Sequence, residues 1–390
     1  MKVLFISYYD FRSPSGLHIF HLANSLTGMG VECHVYCHSG STASVYRYGK
    51  PRFHCYSSTD TSLRDITDKL GGEIVIHAWT PREPTRLLAE PLAKRLKAPV
   101  IVHMEDNEEQ IFKDQSAHYL ANTRKAEDAD WNSNGIFFGL SHPVRSKKFM
   151  EAARGYTCII ESLLEFKPEH VPGIYFWPAC EDEFFTIPQE STDAAKIQYG
   201  LPPGIPTVFY PGAMHDSNMQ EVSELYLALA HLNARGIRIN IIKYGPYALN
   251  VELYILKKKV DWIFDLTKTA NPSDIPQIMQ AADILIQPGK DTPFNHYRFP
   301  CKLPMFMASG RPVILPRSNL GYFLDNGRNC LLLTSGDTME MSVSIKYLLD
   351  HPEEAKSIGL AGREFARRNF NWQHSATKLY NFYKEILESA

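Results

Sequence analysis

Residues 2–37 read KVLFISYYDFRSPSGLHIFHLANSLTGMGVECHVYC, and this stretch decides the fold. KVLFISYY (2–9) is a near-continuous apolar run, as a strand covered on both faces requires. A Gly-containing turn follows, then a stretch of helical length, GLHIFHLANSLTGM (16–29). Gly30 stands where a left-handed residue ends a helix, and VECHVYC (31–37) is the next strand. Strand, helix and strand in that order mean parallel pairing through a right-handed crossover, the unit of a doubly wound α/β sheet.

The same alternation continues through EIVIHAW (73–79), APVIVHM (98–104), YTCIIE (156–161) and IYFWP (174–178). Around 186–206 it breaks into IPQESTDAAKIQYGLPPGIP, whose Pro, Gly and polar residues mark a linker. Strands resume at PTVFYPG (206–212), IRINIIKYG (237–245), DWIFDL (261–266), DILIQP (283–288), RPVILP (311–316) and CLLLT (330–334), with a helix near 218–234. In SATKLYNFYKEILESA (375–390) apolar residues recur at Leu379, Phe382, Ile386 and Leu387, which predicts a closing helix. The expected organisation is an N-terminal Rossmann-like domain over 1–185, a second over 203–371, and a C-terminal helix over 372–390 crossing back to the first. Open α/β sheets bind ligands at the C-terminal ends of their strands, so a cleft where two such sheets face each other is the expected site.

Composition narrows the function. The chain has 390 residues, 44% hydrophobic and 22% charged, the balance of a protein that buries sizeable cores and not of a disordered chain. Lys plus Arg number 41 against 43 Asp plus Glu, so no global positive field exists to hold nucleic acid. No apolar run approaches the roughly 20 residues of a membrane span. The opening MKVLFISYYD lacks the long apolar region and cleavage site of a secretory signal. Seven scattered cysteines are expected to be reduced thiols in a cytoplasmic protein.

Three further stretches carry a family resemblance. IMQAADILIQPGKDTPFNHYRFPCKLPMFMASGRPVILPRSNLGYFLDNGRNCLLL (278–333) resembles the donor-site region of the GT-B glycosyltransferases, in particular the large retaining family that includes sucrose synthase and phosphatidylinositol mannosyltransferase. SYYDFRSPSGLHIFHLANSLTGMGVECHVY is similar to the opening strand, loop and first helix of that family, and HPEEAKSIGLAGREFARRNFNWQHSATKLYNFY (351–383) to its closing helices. The resemblance implies a nucleoside diphosphate sugar donor in the C-terminal half and a hydroxyl acceptor (glycan, lipid-linked or small molecule) against the N-terminal half. It also implies no obligatory metal, no cofactor beyond the donor itself, and transfer with retention.

Carried over residue by residue, the resemblance singles out several positions. Gly16 fits the second Gly of the family's usual pair, with Ser15 in place of the first, and a helix N-terminus there can hold a phosphate. Taken alone, Gly16 is equally simple turn chemistry. His103 ends APVIVH and matches the family's strand-end His near sugar and acceptor, the catalytic candidate; a partly buried His bonded to a neighbouring loop is the plainer reading. Glu105, Asp106 and Asn107 follow it and could accept from acceptor hydroxyls, or form a solvated loop.

The donor segment keeps the family layout and changes its chemistry. Two Glu, eight positions apart in most members, correspond to Tyr297 and Met305; Tyr297 can still hydrogen-bond. The Arg after the first Gly of the second domain, Gly212, corresponds to Ala213, and the later Lys falls near Asn218 or Met219. Arg298 and Lys302 flank Pro300 at the expected start of a helix, and two cations at an N-terminus suit an anion there, while Lys290 sits in the preceding loop. The altered donor site leaves an alternative open, a catalytically silent family member serving as a partner subunit or binding module.

Other motifs are weaker. CHVYCH (33–38) divides its Cys and His between two faces of a strand and cannot converge on a metal. VRSKKFMEAARGY (144–156) is a basic amphipathic stretch that suits a solvated helix face or peripheral contact with anionic lipid headgroups. KKK (257–259) reads as an exposed helix C-terminus.

Overall fold

A computed structural model describes residues 1–120, 131, 137–188, 190–214, 218–245 and 260–389, so the KKK run lies outside the described residues. The chain divides into two compact units. The first comprises Met1–Pro178, Tyr297–Phe299 and Asn371–Ala390; the second comprises Ala179–His296 and Pro300–Phe370.

The first unit is built on seven strands: β1 (Lys2–Ser7), β2 (Glu32–Cys37), β3 (His54–Ser57), β4 (Ile74–Trp79), β5 (Val100–Met104), β6 (Gly155–Cys158) and β7 (Gly173–Tyr175). They are parallel throughout, in the order β3-β2-β1-β4-β5-β6-β7. The order reverses beside β1, and the C-terminal ends of β1 and β4 flank the crevice that such a reversal opens. All six residues of β4 are buried, which is why the run reads as unbroken apolar sequence. One core joins Val3, Phe5 and Val35 of the sheet to Ile19 and Leu22 of the first helix and to Leu379, Phe382 and Ile386 of the closing helix Trp372–Glu388.

The second unit has six parallel strands: β8 (Thr207–Pro211), β9 (Asn240–Tyr244), β10 (Ile263–Asp265), β11 (Ile284–Ile286), β12 (Val313–Pro316) and β13 (Leu331–Leu333). Their order is β10-β9-β8-β11-β12-β13, again reversing beside the first strand. The helix Met219–Ala234 covers the sheet with Val222, Leu225 and Leu229, close to the predicted 218–234. Both units are therefore doubly wound α/β sheets, the Rossmann-like pair expected of a GT-B fold. Twelve of the thirteen strands coincide with stretches predicted from sequence; β3 is an addition.

Candidate functional site

β1 hands the chain to the helix Pro14–Gly28 through a loop closed by its own side chains. Ser13 caps the helix, accepting from the Gly16 N–H at 3.1 Å while its hydroxyl donates to the Asp10 carbonyl at 2.9 Å. A Cβ on Gly16 would stand 2.5 Å from Phe11 Cα and 2.9 Å from the Asp10 oxygen, so only glycine fits. The Gly16 amide expected to meet a phosphate is thus already engaged by the cap. What the close approach achieves instead is to bring Ser15 and His18, one turn on, against the end of β5.

There they hold Glu105. Ser15 Oγ donates to Glu105 Oε2, and the His18 Nδ1–H donates to Oε1 at 2.7 Å. Burial pushes this carboxyl up, but the hydrogen bonds from His18 and Ser15 outweigh it and bring it down to about 2. Asp106 goes the other way. Burial, reinforced by Glu108 and Glu105, outweighs the Arg298 and Arg82 guanidiniums and raises it to about 7. Two neighbouring carboxyls thus sit on opposite sides of their ordinary range. Asn107, expected to touch acceptor, instead accepts from the Gln110 N–H at 3.0 Å and starts the helix Glu108–Leu120. Glu108 is buried and paired with Arg82 at 3.0 Å and with the Ser141 hydroxyl at 2.8 Å, contacts that no local sequence pattern announces.

His103 lies one residue inside the end of β5 and has no exposure, so it does not project from the strand end as the sequence suggests. Its ring stacks on Trp79, centroids 3.9 Å apart, and on Phe176 at 5.3 Å. Nδ1 meets Thr157 Oγ1 at 2.8 Å, and Nε2 has no hydrogen-bond partner among the described residues. Burial drives its pKa down to about 3, so the ring is neutral. Beside it Thr80, a β-branched residue, holds a φ of 74° and donates its N–H to the His103 carbonyl at 3.1 Å. Such strain persists only where the surroundings impose it, and it concentrates at functional sites.

Tyr297, Arg298 and Phe299 belong to the first unit. The Tyr297 hydroxyl donates to Glu165 at 2.7 Å, and its ring stands edge-on to Phe166 at 4.8 Å. Lys302 belongs to the second unit, so the two cations that flank Pro300 are divided between the units. Nor does the helix begin at Pro300. It runs only Leu303–Ala308, with Lys302 at its cap and Pro304 in its first turn, because residues 300–302 form a turn closed by the Leu303 N–H on the Pro300 carbonyl.

In the second unit Lys302 lies over the Tyr210 ring, 4.2 Å from its centroid, beside Gly212. Gly212 follows β8 and donates its N–H to the Tyr244 carbonyl at 2.7 Å. Gly245, after β9, has φ 126° and would place a Cβ 2.6 Å from the Gly212 carbonyl. Both glycine amides are engaged, Gly212 by Tyr244 and Gly245 by the Thr267 hydroxyl at 3.1 Å, so Lys302 is the group here that suits phosphate oxygens. Asn218, near the expected family Lys, instead donates to the Ala213 carbonyl at 3.0 Å and ties the loop.

Between Met104 at the end of β5 and Phe112 of the following helix opens a cavity of about 220 Å³ within the first unit. Pro81, Met104, Phe112, Met150 and Phe166 give it an apolar lining, and Lys113 and Lys147 stand at it with Glu109. The basic helix Arg145–Glu151 commits Arg145 to Glu83 and Lys147 to Glu109, the behaviour of a solvated face closing on its own acids. Among the described residues no cluster of three or more His, Cys, Asp or Glu is arranged to hold a metal ion, and no helix is long and apolar enough to cross a membrane.

Comparison with known proteins agrees with this architecture. Residues 227–381 match the family described as glycosyl transferase-like. The 2-deoxystreptamine glucosyltransferase of Streptomyces kanamyceticus is 24% identical over 197 residues, 49% of this chain and 49% of that protein. The chain spans about half or less of the length of the curated relatives it matches. Among solved structures, Anabaena HepE in complex with UDP and glucose superposes with a TM-score of 0.71 at 13% identity, covering 98% of this chain and 99% of that one. Sucrose-phosphate synthase from Thermosynechococcus elongatus gives 0.68 at 13% identity, over 100% of both chains. The chain thus has the GT-B fold, and its residues 227–381 are similar to the glycosyl transferase-like family.

Proposed function

We propose that the protein transfers a sugar from a nucleoside diphosphate donor to a hydroxyl acceptor, with retention of configuration. The observation that carries this reading is the end of β5, where Glu105 is held ionised by Ser15 and His18 next to an Asp106 that titrates near neutrality. An ionised carboxylate beside a neutral-range one orients a hydroxyl and can accept its proton, the demands of an acceptor site. Lys302, beside the side-chain-free strand end at Gly212, meets the donor diphosphate, a role supported by the UDP bound in the structurally similar HepE. Retention rests on the likeness of residues 278–333 to a retaining family.

The apolar cavity beside Met104 takes the non-sugar portion of the acceptor. Two of its lining residues, Met104 and Glu108, bracket residues 105–107 in the chain, which supports an acceptor seated there beside Asp106. No metal is required in this scheme.

The test supplies UDP-glucose with free glucose, an octyl glucoside or a phenyl glucoside. UDP release and the anomeric proton of the product are followed by NMR. Faster transfer to the apolar glycosides, lost in Met150→Glu, is expected. Tight UDP binding without turnover of any UDP-sugar would favour the silent-member reading instead.

A further inference from the structure

We infer that His103 is fixed as its Nε2–H tautomer by a buried relay beginning at Tyr383, and so acts as a hydrogen-bond donor and not as a base. The functional consequence rests on the acceptor-side reading above; the tautomer itself does not. The Tyr383 hydroxyl lies 2.7 Å from His77 Nδ1, His77 Nε2 lies 2.9 Å from Thr157 Oγ1, and Thr157 Oγ1 lies 2.8 Å from His103 Nδ1. All four side chains are fully buried. The strand register places Thr157 directly beside His103, which explains how one hydroxyl serves two rings.

Proton counting selects the direction. Burial keeps both rings neutral, so each carries one N–H and one lone pair. In one arrangement Tyr383 donates to His77 Nδ1, His77 Nε2–H donates to Thr157, and Thr157 donates to His103 Nδ1. Every proton is then used except the His103 Nε2–H. In the reverse arrangement the rings donate toward Tyr383, whose own O–H then has no acceptor among the described residues, and the His103 Nε2 lone pair is also unused. The reverse leaves the Tyr383 O–H proton unused as well as His103 Nε2, where the first leaves only the His103 Nε2–H, so the first prevails.

His103 Nε2–H is therefore a preset donor, with the unpartnered Trp79 Nε1–H on the ring stacked against it. A group that comes to bond the His103 Nε2–H must accept, as an oxygen lone pair of a sugar or phosphate does. Tyr383, His77 and Thr157 act through His103 and are positioning residues. The closing helix, which contributes Tyr383, thereby sets the chemistry of a side chain on the central sheet.

Histidine tautomers are read directly from long-range ¹⁵N–¹H correlations of the full chain labelled at its imidazole nitrogens, with His103→Gln and His77→Gln giving the assignments. Wild type is expected to show both rings as Nε2–H, unprotonated from about pH 5 to 8. Tyr383→Phe removes the bias, so the two nitrogen shifts of each ring should move toward each other. Thr157→Val should uncouple His103 likewise, and Thr157→Ser should restore the wild-type pattern. An Nδ1–H His103 in wild type, or shifts unmoved in a folded Tyr383→Phe or Thr157→Val, overturns the relay. Absence of sugar transfer with the tautomer pattern intact would count against the proposed function and leave the relay standing.

Discussion

Lys302 holds its ammonium 4.2 Å from the centre of the Tyr210 ring, and a Cβ placed on Gly212 would come within 2.6 Å of the same nitrogen. Tyr210 is buried and cannot yield, whereas the lysine tip can. The same Cβ would stand 2.9 Å from the Tyr210 hydroxyl, so Gly212→Ala is expected to displace the cation and also to destabilise the second unit by about 1–3 kcal/mol. UDP should bind about tenfold more weakly, about 1.4 kcal/mol, with little change in binding of uridine. Lys302→Ala removes a charge-assisted contact worth about 1.5–3 kcal/mol and should cost ten- to a hundredfold. Calorimetry of uridine, UMP and UDP against each variant decides it; equal losses for uridine and UDP would contradict a diphosphate contact.

Arg298 should behave differently, because it acts on Asp106. Removing the guanidinium takes away the largest influence that lowers this carboxyl, so Arg298→Ala should carry it above about 7. The raised value also has a stability signature. Between the ordinary carboxylate value near 3.8 and about 7 the folded chain keeps a proton that the unfolded chain has released. Stability must then fall as pH rises through that window, by at most about 1.4 kcal/mol for each pH unit. Asp106→Asn should flatten this slope. Urea unfolding midpoints taken across pH 4 to 8 measure it, and a slope unchanged by the substitution would refute the assignment.

Glu105 has the opposite dependence. Its pKa falls from 4.5 to about 2, so the stabilisation is complete above 4.5 and is lost as pH drops toward 2. Glu105→Gln should cost about 2–3 kcal/mol at neutral pH, since charged hydrogen bonds from His18 and Ser15 both weaken. The loss should vanish when wild type and variant are compared near pH 2.

Gly16→Ala tests the approach that brings those partners together. The new methyl would meet the backbone of Phe11 and Asp10, which cannot move without opening the loop. We expect about 2–3 kcal/mol of destabilisation and a measurable rise in the Glu105 pKa by NMR titration. A variant as stable as wild type would show that the loop has room to give.

The sheets were legible because parallel strands buried on both faces leave long apolar runs, as in IVIHAW of β4. β3 was not, because HCYS is only four residues at the sheet edge, with one buried position. The site was legible in place and not in partnership. Glu105 and Asp106 stand in sequence beside the expected strand end, but Ser15 and His18 reach Glu105 across 90 and 87 residues, a separation that only the sheet order closes. Arg298 and Lys302, four positions apart in the chain, belong to different units, a division that their spacing does not announce.

The first unit draws its last core residues, Phe382, Tyr383 and Ile386, from the final stretch of the chain, while Val3 and Phe5 come from its beginning. During synthesis the second unit has all of its residues by Phe370 and the first does not until the helix Trp372–Glu388 emerges. The usual order, in which the N-terminal domain folds first, is therefore reversed for completion of the core. A nascent or prematurely stopped chain would present an open apolar face on the unit proposed to receive the acceptor. Emergence of the helix Trp372–Glu388, after the whole of the second unit, is the event that closes it.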